Sequence, residues 1–172
     1  TATADITAKP VTVSGITAAN KTYDTTNTAT VDTSVATFDG IFGGDTLTVS
    51  TTGTFANENA GTGKTVTFGT LVLGGASAGN YSVKGDSQTT TTANISKETV
   101  TVSGIVAADK TYDGETDATI DPSGAIFAGK YAGDTLTVST TGTFADADAG
   151  IGKTDTFGTL VLGGADVANY VL

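Results

Sequence analysis

The chain is one sequence unit written twice. Ala18-Ala19-Asn20-Lys21-Thr22-Tyr23-Asp24 returns as Ala107-Ala108-Asp109-Lys110-Thr111-Tyr112-Asp113. The run from Gly44 to Ala56 returns unchanged from Gly133 to Ala145, Phe68 to Ala76 returns at Phe157 to Ala165, and Asn80-Tyr81 returns at Asn169-Tyr170. Every pair is 89 residues apart, no gap is needed, and about two-thirds of positions match between residues 9–83 and 98–172. Solenoid repeats run to about 20–50 residues, so a unit of this length reads as a small domain with its own core. Two tandem modules are therefore expected.

The first seven residues obey the same offset. Thr1-Ala2-Thr3-Ala4-Asp5-Ile6-Thr7 corresponds to Thr90-Thr91-Thr92-Ala93-Asn94-Ile95-Ser96. One phasing gives modules at 1–89, ending in a polar link over 84–89, and at 90–172. In the other, residues 1–7 close a preceding module and the second module lacks a closing strand of its own. The chain opens on Thr1 rather than Met, which reads as a segment of something longer.

Apolar residues alternate with Thr and Ser at period 2, the signature of half-buried strands. Val11 and Val13 do so, as do Leu47 and Val49, and Val66 and Phe68. Thr makes up about a fifth of the chain; its β-branch favours strands and its hydroxyl suits the wet face. Glycine clusters punctuate the runs, and no stretch has helical spacing beyond a single turn near 76–78 and 166–168. The expected fold is all-β, with two Ig-like β-sandwich modules of about seven short strands each; small β-grasp-like modules are the alternative. In the first unit the strands are expected near 2–7, 10–15, 28–31, 36–39, 45–52, 64–73 and 80–84. Leu71-Val72-Leu73 is expected to be buried on both faces. Phe38, Phe55, Phe68 and Tyr81 are the expected core aromatics, with Phe127, Phe144, Phe157 and Tyr170 as their twins.

Composition narrows the chemistry. The chain has no Cys, His, Met, Trp or Arg. Ser-His-Asp and Cys-His nucleophiles lack their base, and ordinary zinc sites lack their ligands. Disulfides are excluded. A net charge of −10 repels phosphate backbones, so nucleic acid is not an expected partner, and no apolar run is long enough for membrane insertion as a helix. Gly61-Thr62-Gly63-Lys64-Thr65 looks like a phosphate loop but has Glu58 where that motif needs Gly, and a strand pattern follows it. No nucleophile–base pair can be assembled, so an enzyme is not expected.

Three polar features stand out. Asp146 and Asp148 sit two apart in a Gly-terminated loop, a spacing that calcium loops use; the first unit has Asn57 and Asn59 there. Lys21, Tyr23 and Asp24, with Lys110, Tyr112 and Asp113, form the sharpest repeated polar motif, read first as a structural turn. A Lys–Asn isopeptide, from Lys21 or Lys64 to Asn80 with Asp24 as proton shuttle, is the alternative; Asn80-Tyr81 and Asn169-Tyr170 are the second repeated pair. The loops at 39–45 and 128–134 differ most between copies, which allows loop-mediated binding of a host or matrix glycan or protein.

In order along each unit come Lys-Thr-Tyr-Asp, complete as Tyr112-Asp113-Gly114 in the second and Tyr23-Asp24-Thr25 in the first, then Gly-Asp-Thr before a Thr/Val strand. Phe-Ala and an acidic stretch follow, leading to Gly-x-Gly-Lys-Thr and a Leu-x-Leu-Gly-Gly-Ala run ending in Asn-Tyr; Thr-x-Ala-x-Ile follows the first of these at 91–95. This pattern resembles the MBG/YDG repeat domains of large secreted bacterial adhesins of the filamentous-haemagglutinin type. The resemblance implies an extracellular β-rich stalk or filament segment whose partners are neighbouring repeats of the same protein, and it supplies no catalytic residues. A homopolymer built by strand donation is the second expectation, with Thr3, Asp5 and Ile6 as the donor residues.

Overall fold

The computed structural model describes residues 1–172, and they fold as two all-β units, Thr1–Ser96 and Lys97–Leu172. The only helical segments are one-turn 3-10 elements at Ala78–Asn80, two residues later than the sequence pattern placed it, and at Val167–Asn169, one residue later.

The first unit holds a five-stranded sheet in the order Lys21–Thr22, Thr90–Ser96, Gly61–Phe68, Gly53–Phe55, Thr28–Ala29. A three-stranded sheet sets Lys9–Ser14 between Tyr81–Val83, which runs parallel to it, and Thr37–Asp39, which runs antiparallel. Two further strand pairs, Thr48–Ser50 with Val72–Gly74 and Thr17–Ala18 with Val31–Asp32, complete a sandwich-like module. The period-2 pattern is realised directly. Val11 and Val13 are fully buried on either side of exposed or half-exposed neighbours, and Val66 and Phe68 repeat this one sheet away. Phe55, Ile16 and Ile95 fill the same interior, and Val11, Leu47 and Tyr81 cluster with Phe38, Ile41 and Leu73.

The division falls at Ser96, not at residue 89. Thr90–Ser96 pairs antiparallel with Gly61–Phe68, through Thr91↔Val66 and Ala93↔Lys64, and parallel with Lys21–Thr22. Residues 84–89 are bound into the first unit as well. The Lys84 amide donates to the Val11 carbonyl at 2.9 Å and the Gln88 amide to the Val13 carbonyl at 2.8 Å. The buried Ser87 accepts the Val13 amide, and the Gln88 side chain brackets Ile16, accepting from its amide and donating to its carbonyl.

The second unit repeats the plan with shorter strands. Glu98–Thr99 runs parallel to Tyr170–Val171, Thr101–Ser103 pairs with Ile126–Ala128, and Thr137–Ser139 pairs with Val161–Gly163. Its largest sheet has three strands, Asp117–Ala118, Gly142–Phe144 and Asp155–Phe157. Val100, Leu136, Val138 and Tyr170 form its buried core.

Three expectations need correction. Residues 1–8 form no strand and are exposed throughout, because no neighbouring strand pairs with them. The Leu71-Val72-Leu73 run is not buried on both faces: Leu73 packs against the core, and alternation turns its neighbour Val72, 57 % exposed, to the opposite face. Phe157 is 41 % exposed, unlike its twin Phe68 at 8 %.

Candidate functional site

The repeated Lys-Thr-Tyr-Asp segment forms a cross-braced turn. Lys21 Nζ donates to Asp24 Oδ1 at 2.6 Å, to the Thr26 carbonyl at 2.7 Å and to Thr26 Oγ1 at 3.0 Å. Asp24 Oδ1 also accepts the Thr26 amide at 2.9 Å, the side-chain turn that Asp favours. Burial opposes ionisation of Asp24, but the hydrogen bonds from Lys21 and Thr26 and the Lys21 charge outweigh it and hold the carboxyl below its ordinary range. In the second unit Lys110 pairs with Asp113 at 2.9 Å and donates to the Glu115 carbonyl. The Lys110 bond, followed by that from the Glu115 amide, likewise lowers Asp113. The next position needs a left-handed backbone. Gly114 supplies it at φ 84°, and Thr25 adopts φ 65°, the only non-glycine residue with positive φ. Thr25 thus carries strain that its glycine twin avoids.

A second brace joins Asn-Tyr to Gly-Asp-Thr. Tyr81 donates its hydroxyl hydrogen to Asp45 Oδ2 at 2.5 Å and accepts the Phe42 amide at 3.0 Å. Ser77 Oγ donates to the other Asp45 oxygen at 2.9 Å. Tyr170 repeats this, donating to Asp134 Oδ2 at 2.5 Å and accepting the Tyr131 amide at 3.0 Å. The bonds from Tyr81 and then Ser77 hold Asp45 below the usual carboxylate range. Burial, then the Asp134 bond, pushes the Tyr170 phenol up to about 12. The loops 39–45 and 128–134, read from sequence as binding loops, are tied down at their centres by these tyrosines. Taken one motif at a time, the sequence does not show that Asp45 and Asp134 meet a distant tyrosine. The signal of that link was present, since both motifs recur at the same 89-residue offset.

The structure does not bring every singled-out residue together. Asn80 and Asn169 end the 3-10 turns, their amides donating to Ser77 and Asp166 carbonyls. Lys21 directs its bonds to Asp24 and Thr26, and Lys64 bonds Asn57. Asp146 Oδ1 accepts the Asp148 amide at 2.9 Å and is ion-paired with Lys153, which also donates to the Asp148 carbonyl. An ammonium thus lies between the two residues expected to hold calcium, and no group of three or more acidic side chains forms a ligand cluster.

The most distinctive surface is a groove in the second unit of about 450 Å³, lined by Ala107–Lys110 and Tyr112 on one side and Gly150–Lys153 on the other. In the first unit the equivalent place is filled by Thr90–Ser96. The consequences are local. Tyr23 is 4 % exposed and its amide donates to the Ser96 carbonyl, whereas Tyr112 is 65 % exposed. Gly61–Phe68 is one continuous strand, whereas only Asp155–Phe157 of the matching segment is paired.

Two all-β modules of one plan, each locked by the same Lys–Asp and Tyr–Asp braces, define a tandem-repeat protein. The family model for the YDG domain matches twice, over residues 7–93 and 95–172, and the chain belongs to that family. No curated protein and no solved structure matches it.

Proposed function

We propose that this chain is a non-catalytic spacer, two load-bearing modules in the stalk of an extracellular bacterial surface protein of adhesin type. The observation that carries the reading is the parallel pairing of the first strand of each unit with a late one. Lys9–Ser14 lies parallel to Tyr81–Val83, and Glu98–Thr99 lies parallel to Tyr170–Val171. A pull on the leading end of one strand and the trailing end of the other slides the two past each other. The ladder bonds are then loaded together rather than peeled one at a time. The Tyr–Asp and Lys–Asp braces support the same reading, because Lys21, Lys110, Tyr81 and Tyr170 each bond an aspartate of their own unit and so fix a turn or a loop.

Single-molecule pulling through the two termini tests this. The expected trace has two separate unfolding steps, each releasing about 3.5 Å per residue of the unit that opens. Extension without resolved steps overturns the spacer reading. Antibody labelling of intact cells that carry the parent protein tests the extracellular placement.

A further inference from the structure

Two strand edges stay open in the middle of each unit. In an antiparallel ladder a residue turns its N–H and C=O to one side, and the side alternates along the strand. The Thr135 and Thr141 carbonyls accept the Asp166 and Gly158 amides at 3.3 Å and 2.8 Å, toward the Val161–Gly163 side. Phe144, of the other parity, sends its amide the opposite way, to the Thr116 carbonyl at 2.7 Å. Leu136 and Val138 share that parity. Their backbone groups therefore aim away from Val161–Gly163, the only strand paired with Thr137–Ser139. The second edge follows in the same way. The Val100 amide donates to the Val171 carbonyl at 2.8 Å, so Thr101 and Ser103 face Ala128 and Ile126 in the ladder. Phe127 then turns its N–H and C=O away from its only partner strand. The first unit repeats this arrangement at Phe38, Leu47 and Val49, fixed by bonds to the Val11, Val13, Thr46 and Thr52 carbonyls. The open edges thus belong to the repeat itself.

In the second unit both edges border one cavity of about 330 Å³, lined by Phe127, by Leu136 to Val138, and by the turn that starts at Asp121-Pro122. Phe127, Leu136 and Val138 make it apolar, and Asp121 is its one charged lining residue. We infer that this slot takes an extended peptide strand of another protein, in which apolar side chains alternate with lysine or arginine.

Each part of that description has its own ground. Open backbone donors and acceptors at Phe127, Leu136 and Val138 recognise the main chain of an extended segment, whatever its sequence. Side chains of such a segment point alternately to opposite sides, so one set enters the apolar slot and the other faces outward. The outward set meets an acidic surface. Residues 97–172 hold eleven aspartates and glutamates against four lysines, whereas residues 1–96 hold seven against four. At the slot itself, hydrogen bonds from the Ser123 amide and then its hydroxyl hold the Asp121 carboxyl below its ordinary range, so it is charged at neutral pH. Charge also argues against a second copy as the occupant, since two chains of net charge −10 repel each other. The inference is independent of the load-bearing reading, because a spacer needs no ligand.

The test is residue-resolved amide hydrogen exchange of the full chain with three hexapeptides: Lys-Val-Lys-Val-Lys-Val, Glu-Val-Glu-Val-Glu-Val and Lys-Val-Lys-Pro-Lys-Val. The first is expected to slow exchange at Phe127, Leu136 and Val138 at least about tenfold, while Thr137 and Ser139, whose amides face Val161–Gly163, change little. The glutamate peptide is expected to bind at least about tenfold more weakly, and the lysine peptide to weaken as salt is added. The proline peptide lacks one backbone donor and is kinked away from a central ladder position, so its protection is expected to be lost. Asp121→Asn keeps an oxygen for the Ser123 amide and is expected to weaken the lysine peptide about threefold, the worth of one exposed ion pair. No protection by the lysine peptide overturns the inference, as does protection confined to other residues. Equal binding of the proline peptide reduces the contact to charge alone and overturns strand addition. Protection at Leu136 and Val138 that rises with chain concentration and no peptide makes a second copy the occupant and overturns the foreign strand.

Discussion

Tyr170 donates its hydroxyl hydrogen to Asp134 Oδ2 at 2.5 Å, across 36 residues of sequence, and Tyr81 makes the same bond to Asp45 across the same separation. The bond ties the strand that ends each repeat to the loop that precedes its central Thr/Val strand. Tyr170→Phe leaves the Tyr131 amide without its acceptor and Asp134 without its donor, a loss of about 1–3 kcal/mol from the second unit. Chemical denaturation checks it. The phenol pKa is raised in the folded state to about 12. This group therefore stabilises the fold fully below its unfolded value of about 10, and the contribution is lost as pH rises through 12. Phenolate absorbance should show one tyrosine titrating last, and Tyr170→Phe should remove that step.

Acid acts through the carboxylates. Asp24, Asp32, Asp45, Asp86, Asp113 and Asp121 are all held below the ordinary carboxylate value by hydrogen bonds from lysine, tyrosine, serine, threonine or backbone groups. A depressed folded pKa means that the stabilisation is present above the unfolded value, about pH 4, and disappears as pH falls through the lower folded value. Thermal unfolding followed from pH 6 downward should hold steady to about pH 4 and then fall. Lys21→Gln should flatten part of that fall, because it removes the partner that lowers Asp24.

Thr25 and Gly114 occupy one turn with φ values of 65° and 84°. A Cβ at Gly114 would meet nothing within 4 Å, so substitution there tests conformation alone. Gly114→Thr should destabilise the second unit by about 1–2 kcal/mol, the cost of a left-handed L-residue. Thr25→Gly should stabilise the first unit, by less, since the added unfolded-state freedom of glycine offsets part of the relief. Denaturation of each variant beside the parent chain measures both.

Strand type, the duplicated plan and most of the core were legible because they depend on period 2 and on local turn chemistry. Val11, Val13, Phe55 and Tyr81 fell where alternation put them. What was not legible depended on partners. Residues 2–7 have a strand pattern and no strand, whereas the similarly patterned 90–96 forms one, because only the latter has neighbours on both sides. Gly61–Phe68 and its twin differ in the same way. The Lys21–Asp24 turn is local and could be read; the Tyr81–Asp45 bond spans 36 residues and could not be read from spacing. Propensity sets what a segment can do, and an adjacent strand decides whether it does.

The substitution of Val66 by Asp155 is the sharpest difference between the two cores. Val66 is fully buried against Phe55's strand, paired opposite it in the ladder. Asp155 holds the same register opposite Phe144, and both of its carboxylate oxygens are buried without a hydrogen-bond partner. A valine-shaped site thus contains a polar group that must be desolvated and gains no bond in return. Restoring the first unit's residue removes that cost. Asp155→Val should stabilise the second unit by about 1–3 kcal/mol, seen as a higher denaturation midpoint with unchanged slope. Val66→Asp should destabilise the first unit by at least as much, because it also removes a fully buried side chain from a better-packed interior. If Asp155→Val leaves the midpoint where it was, the carboxylate is solvated in solution and the two cores are closer in packing than their sequences indicate.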